Sequence, residues 1–290
     1  MRTEIEMMSL ILDFASKDDN IRAAYMNGSR AIPTIPKDEY QDYDVVFACV
    51  DIQRYLVDHA WIDQFGKVAI LQEADKSDSL LYDLPPRPQS YIFLILYQDD
   101  VRTDLCFKTI DQALKEYGTD SATILLLDKD HRFKTLQPSS DLDYRIQKPS
   151  RFMVESAINE FYWCQQNVGK ALARDQVPYA LWMMNHPIRA MLDKMIEWKI
   201  AKDHQYQVST GKCGKLFKQY LSADLYRQWE STVSSVDIDS IWESTFNMIS
   251  MFSALAKEVC EALSIVYPID EEVNVTAHLK RIHDKTRPRD

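Results

Sequence analysis

The sequence predicts an α+β chain in two parts, a mixed β-sheet flanked by helices and then a helical bundle. Three observations carry this. Segments rich in Val, Ile, Tyr and Phe recur between residues 21 and 107, turn formers crowd residues 137–150, and apolar residues return at helical spacing from Arg151 onward.

Thr3-Glu4-Ile5-Glu6 has capping-box spacing and precedes Met7, Met8, Ile11, Leu12 and Phe14, which predicts a first helix over about residues 3–17. Asp18-Asp19-Asn20 stops it. Strands are expected at Ile21 to Met26, Tyr43 to Val50, Val68 to Gln72, Tyr91 to Tyr97 and Val101 to Phe107, the last two joined by a hairpin turn at Asp99-Asp100. Short helices are placed near Trp61 to Phe65 and Asp111 to Tyr117, the second ending at Gly118, where a left-handed cap costs little. Gln137-Pro138-Ser139-Ser140-Asp141 and Lys148-Pro149-Ser150 punctuate the chain, so one domain is expected over residues 1–137 and another over 150–290. In the second, Phe152, Ala157, Phe161 and Cys164 keep helical spacing, as do Leu181 to Ile196 and Ile241 to Val259. The charged end from Lys280 to Asp290 is expected to be mobile.

A formal charge of −10, from 44 acids against 34 bases, disfavours nucleic-acid backbones, whose binding needs clustered Lys and Arg. A cationic partner fits better, although acidity also serves solubility alone. Five cysteines with no CxxC pair suit neither a disulfide framework nor a cysteine zinc site, and a reducing cytoplasm is expected. No secretory leader or membrane-length apolar run is read. The six histidines form no metal-ligand motif.

The chemistry concentrates in Met26-Asn27-Gly28-Ser29-Arg30 and Asp42-Tyr43-Asp44. Glycine permits a turn whose N–H groups and Ser29 hydroxyl converge on phosphate oxygens. Residues i and i+2 of a strand share a face, so Asp42 and Asp44 can hold divalent cations at one spot. Asp104 places a carboxylate within a predicted strand, where it needs a cation or a specific partner. If that strand lies beside the Asp44 strand, three carboxylates converge; the alternative is an Asp104 paired with Arg102. Thr210-Gly211-Lys212-Cys213-Gly214-Lys215 reads as a basic turn opening a helix, suited to polyphosphate or simply solvated, and it is not a Walker motif.

Gly-Ser, a flanked Asp-x-Asp and a later strand Asp together resemble the nucleotidyltransferase superfamily related to DNA polymerase β. The resemblance is closer to the aminoglycoside 6-adenylyltransferases, which inactivate streptomycin. It rests on Met1-Arg2-Thr3-Glu4, Tyr25 to Arg30, Pro36-Lys37-Asp38, Gln41 to Asp44, Trp61-Ile62-Asp63, Arg102 to Leu105, Asn159-Glu160-Phe161 and Gly211-Lys212 with Lys215, and it covers most of the chain.

The resemblance implies a nucleotidyltransferase domain over 1–137, binding ATP and Mg²⁺, and a helical substrate-binding domain over 150–290. AMP would pass from ATP to the 6-hydroxyl of streptomycin, releasing pyrophosphate. Gly28, Ser29, Arg30 and Lys215 would contact the nucleotide, Asp42 and Asp44 would ligate Mg²⁺, and Asp104 would be a further ligand or the general base. Streptomycin carries guanidinium groups, so carboxylates and aromatic faces should receive it. Glu160, Trp163 and Glu197 are the candidates, with Glu155, Trp182, Asp193 and Trp198 behind them; the same residue types also occur as core or solvated positions. Competing readings are another small hydroxylated acceptor, or a nucleotide-binding regulatory module without turnover.

Overall fold

The Thr3 hydroxyl accepts the Glu6 N–H while the Glu6 carboxylate accepts from the Thr3 N–H, a complete capping box that opens α1 (Glu4–Lys17). The computed structural model describes residues 2–286. The chain divides into two compact units, Met1–Asp143 and Tyr144–Asp290.

In the first unit, β1 (Ile21–Asn27), β2 (Tyr43–Cys49), β3 (Val68–Glu73), β4 (Ser90–Tyr97), β5 (Arg102–Thr109) and β6 (Ile124–Asp128) form one sheet, ordered β3-β4-β5-β2-β1-β6. Only β2 and β5 run parallel; the other pairs are antiparallel. All five expected strands form within a residue or two of their predicted ends, and Asp100 takes the left-handed conformation in the β4–β5 turn.

The period of two along the strands sorts side chains to the two faces. Val45, Phe47, Leu105 and Phe107 meet Met7, Ile11 and Phe14 of α1, with Trp61, Ile62 and Phe65 completing that core. Tyr25, Val46, Ala48 and Cys106 point the other way, onto Ala113 and Tyr117. Ala113 belongs to α4 (Ile110–Glu116), and the expected short helix at 61–65 is a 3-10 turn, Ala60–Phe65.

Three elements went unforeseen: α2 (Gln53–Val57), α3 (Ala74–Tyr82) and β6. α3 buries none of its residues, so it leaves no apolar period to read. Leu125-Leu126-Leu127 of β6 has no apolar–polar alternation, and the strand pairs on one side only, with β1.

Among the described residues of the second unit the regular elements are helices: α5 (Arg151–Leu172), α6 (Val177–Met183), α7 (Arg189–Asp203), α8 (Phe217–Tyr220), α9 (Ala223–Glu230), α10 (Ile238–Ala262) and α11 (Ile269–Thr286). Phe161 of α5 stacks on Phe252 of α10 with ring centroids 3.6 Å apart. Gly169 of α5 lets α11 close in, since a Cβ there would stand 2.8 Å from a Leu279 methyl. The segment from Lys280 to Thr286 continues α11, a correction to the expected mobile end; residues 287–290 lie outside the described residues. Among the described residues no helix is long and apolar enough to cross a membrane.

Candidate active site

β1 ends at Asn27, and Gly28 turns the chain with φ +79°, a conformation that L side chains rarely adopt. A Cβ there would lie 2.3 Å from Asp44 Oδ2. Glycine thus brings the turn's backbone against the carboxylate across the β1–β2 ladder, in which Asn27 stands opposite Asp44. Ser29 follows in a short 3-10 turn and is half-exposed, its Oγ accepting from Gln41 Nε2 at 3.3 Å.

β5 lies beside β2 with Asp104 opposite Asp44, so the condition set for the carboxylates to share a site is met. Both lie on the face of Val46, Ala48 and Cys106, and Asp42 is one residue outside β2, in step with Asp44. Burial pushes the Asp44 carboxyl up to about 6, helped by the negative charges of Asp104, Asp42 and Asp120, while Arg102 opposes the rise.

Arg102 also takes the other expected role. Its Nε and Nη2 each donate to an Asp104 carboxylate oxygen at 2.9 Å, and its Nη1 lies 3.4 Å from Asp42 Oδ2. As the side chains stand, no group of three His, Cys, Asp or Glu is arranged to hold a metal among the described residues. The donors nevertheless suit a hard divalent cation, being oxygen-only carboxylates.

Arg30, expected as a nucleotide contact, lies mostly enclosed beside the Asp42 loop. Its side chain is 4% exposed, it donates to the carbonyls of Asp38, Gln41 and Asp42, and it packs over the Tyr43 ring at 4.1 Å. It fixes the loop that carries Asp42 instead of facing solvent. The Gly211–Lys215 segment is corrected: it opens no sustained helix. A 3-10 turn, Lys212–Gly214, is followed by the single turn α8, and exposed Lys215 folds its stem over Gly211.

In the helical unit, Glu160 and Trp163 sit three apart on the exposed side of α5, Trp163 being 64% exposed. Glu160 accepts from Cys164 Sγ at 3.3 Å. Glu197 of α7 is half-buried, and burial raises its pKa while Thr210 Oγ1 approaches to 3.4 Å. One turn away, burial pushes the Asp193 carboxyl up to about 6 against the pull of nearby Arg189. Trp198 is buried in the core, Trp182 lies on α6 against His186, and Glu155 pairs with Arg151 at 2.7 Å.

A family model described as streptomycin adenylyltransferase matches residues 1–282. The chain belongs to that family. An aminoglycoside 6-adenylyltransferase of Campylobacter jejuni is 34% identical over 275 residues, covering 94% of this chain and 93% of that protein. One of Bacillus subtilis (strain 168) is 32% identical over 285 residues, covering 98% and 99%. A crystal structure of an aminoglycoside 6-adenyltransferase from Bacillus subtilis aligns with a TM-score of 0.48 and 29% identity, covering 98% of this chain and 99% of that one.

Membership in the streptomycin adenylyltransferase family makes the chain a nucleotidyltransferase acting in aminoglycoside resistance. Two residues beside the candidate site of this family member were given no role by the sequence alone. Gln41 holds Ser29 through its amide. Asp120, whose charge reaches Asp44, follows the Gly118 turn some 76 positions on, and no spacing rule links it to Asp44.

Proposed function

We propose that the chain transfers AMP from ATP to the 6-hydroxyl of streptomycin, releasing pyrophosphate and conferring resistance to the drug. The observation that carries this is the placement of Asp104 opposite Asp44 on one sheet face, with the Gly28 turn pressed against Asp44. Family membership adds the reaction class.

The Gly28–Ser29 turn offers backbone N–H groups and a hydroxyl to the triphosphate oxygens. Asp42 and Asp44 would hold Mg²⁺, with Asp104 as base or additional ligand; a bound Mg²⁺ supplies neutralising charge to the phosphoryl oxygens. The acceptor oxygen bonds to the α-phosphorus as the bond from that phosphorus to the bridging oxygen breaks, and pyrophosphate leaves. Asp104 takes the hydroxyl proton in this reading, for which it must part from Arg102. No covalent enzyme intermediate is required.

For the drug's guanidinium groups, Glu160, Trp163 and Glu197 supply two carboxylates and an exposed indole face. The acidic balance of the chain suits a cationic small molecule better than nucleic acid. We place the reaction in the cytoplasm, where ATP is plentiful and the five cysteines stay reduced.

The test is pyrophosphate release with ATP and Mg²⁺ across a panel of aminoglycosides, with mass spectrometry of the drug and Asp44→Asn as control. Streptomycin heavier by one AMP, absent with the variant, is the expected result. Adenylylation of a different aminoglycoside alone would overturn the substrate, and ATP binding without turnover on any acceptor would overturn the activity.

A further inference from the structure

We propose that Arg102 is the resident counter-ion of the carboxylate cluster, and that loading a divalent cation requires its guanidinium to give up Asp104. This rests on the reading of Asp42, Asp44 and Asp104 as a cation site.

Arg102 precedes Asp104 by two residues on β5, so both side chains leave the same face of the strand. The fork of the guanidinium matches the carboxylate, with Nε and Nη2 each 2.9 Å from its oxygens. With Nη1 reaching Asp42 at 3.4 Å, one planar cation spans two of the three proposed ligands. Both Asp104 oxygens are therefore engaged, and a metal ion approaching them meets a positive charge already in place. Arg102 and the metal compete for the same oxygens.

The charge balance favours exchange. One guanidinium faces three carboxylates, and Asp120 adds a further negative charge within reach of Asp44. A divalent cation compensates more of that charge at shorter range. Arg102 is also the less enclosed of the two arginines near Asp42: its side chain is 46% exposed, whereas that of Arg30 is 4% exposed and bound to three carbonyls. The two arginines divide the work, Arg30 fixing the Asp42 loop and Arg102 neutralising the ligands until they are loaded.

The experiment measures Mn²⁺ binding to the full-length chain without nucleotide, by calorimetry and by the spin-resonance signal of free Mn²⁺. Arg102→Gln keeps much of the stem and removes the charge; it should bind Mn²⁺ about tenfold tighter than the wild type, the equivalent of losing one competing ion pair. Arg102→Lys keeps the charge without the fork and should fall between them. Asp44→Asn should weaken binding in every background. Mn²⁺ should raise the melting temperature of Arg102→Gln more than that of the wild type, and this shift also reports that the variant is folded. Unchanged or weaker binding by both Arg102 variants, with Asp44→Asn still damaging, would overturn the counter-ion role and leave the cation site standing. Mn²⁺ affinity indifferent to Asp44→Asn would remove the cation site itself, and this proposal with it.

Discussion

At the scale of single residues, Gly28 is the most constrained position near the proposed chemistry. Gly28→Ala would force an L residue to φ +79° and place a methyl 2.3 Å from Asp44 Oδ2. The strain should cost about 1–3 kcal/mol in denaturant unfolding, and displacement of Asp44 should lower turnover by about tenfold or more. An alanine variant with unchanged unfolding and unchanged pyrophosphate release would refute the close approach. Asp193 carries a pH prediction. Its folded pKa, about 6, lies above the ordinary 3.8, so its proton stabilises the fold below the ordinary value and is lost as pH rises through about 6. Relative to Asp193→Asn, the wild type should lose about 1–3 kcal/mol of stability between about pH 4 and pH 6.5, a range discounted for partial solvent screening. Parallel stability curves for the two proteins would contradict it. That Asp44 shares a face with its neighbours two residues along was legible from strand periodicity, and a carboxylate inside a strand, as at Asp104, demands a reason. Arg30 was not legible in the same way, because its sequence position beside Ser29 says nothing of which carbonyls fold around it.

At the scale of elements, sequence reading succeeded wherever a local interaction decides the structure. The Thr3–Glu6 capping box is one such case: Thr3→Ala removes the acceptor for the Glu6 N–H and should cost about 1 kcal/mol of stability. Hydrogen exchange should quicken first in the opening turn of α1, and uniform exchange across α1 in both proteins would show that the cap contributes nothing. The five foreseen strands carry β-branched and aromatic residues whose alternation marks two buried faces. α3 and β6 lacked that signal, α3 because it lies on the surface and β6 because three leucines look alike from either face. The segment after Gly211 failed for another reason. Its lysines and glycines suggest a helix start, yet Cys213 takes φ +55° and interrupts the helical path. The neighbouring positions of β2 and β5 were legible only as a condition, because pairing between strands some sixty residues apart is a property of the whole sheet.

At the scale of the whole molecule, each unit has an apolar core of its own among the described residues. The large helical core draws on residues from Ile146 to Ile282, while the two sheet cores lie between Met7 and Leu136. Each unit therefore has what independent folding requires, a buried core of its own. The positions proposed for the nucleotide turn and its metal, Gly28, Ser29, Asp42, Asp44 and Asp104, all lie in the first unit. A fragment of residues 1–143 should melt cooperatively and bind ATP with Mg²⁺ in calorimetry, and Asp44→Asn in the same fragment should abolish the binding. A folded fragment with no nucleotide affinity would mean that the sheet unit does not carry the triphosphate site.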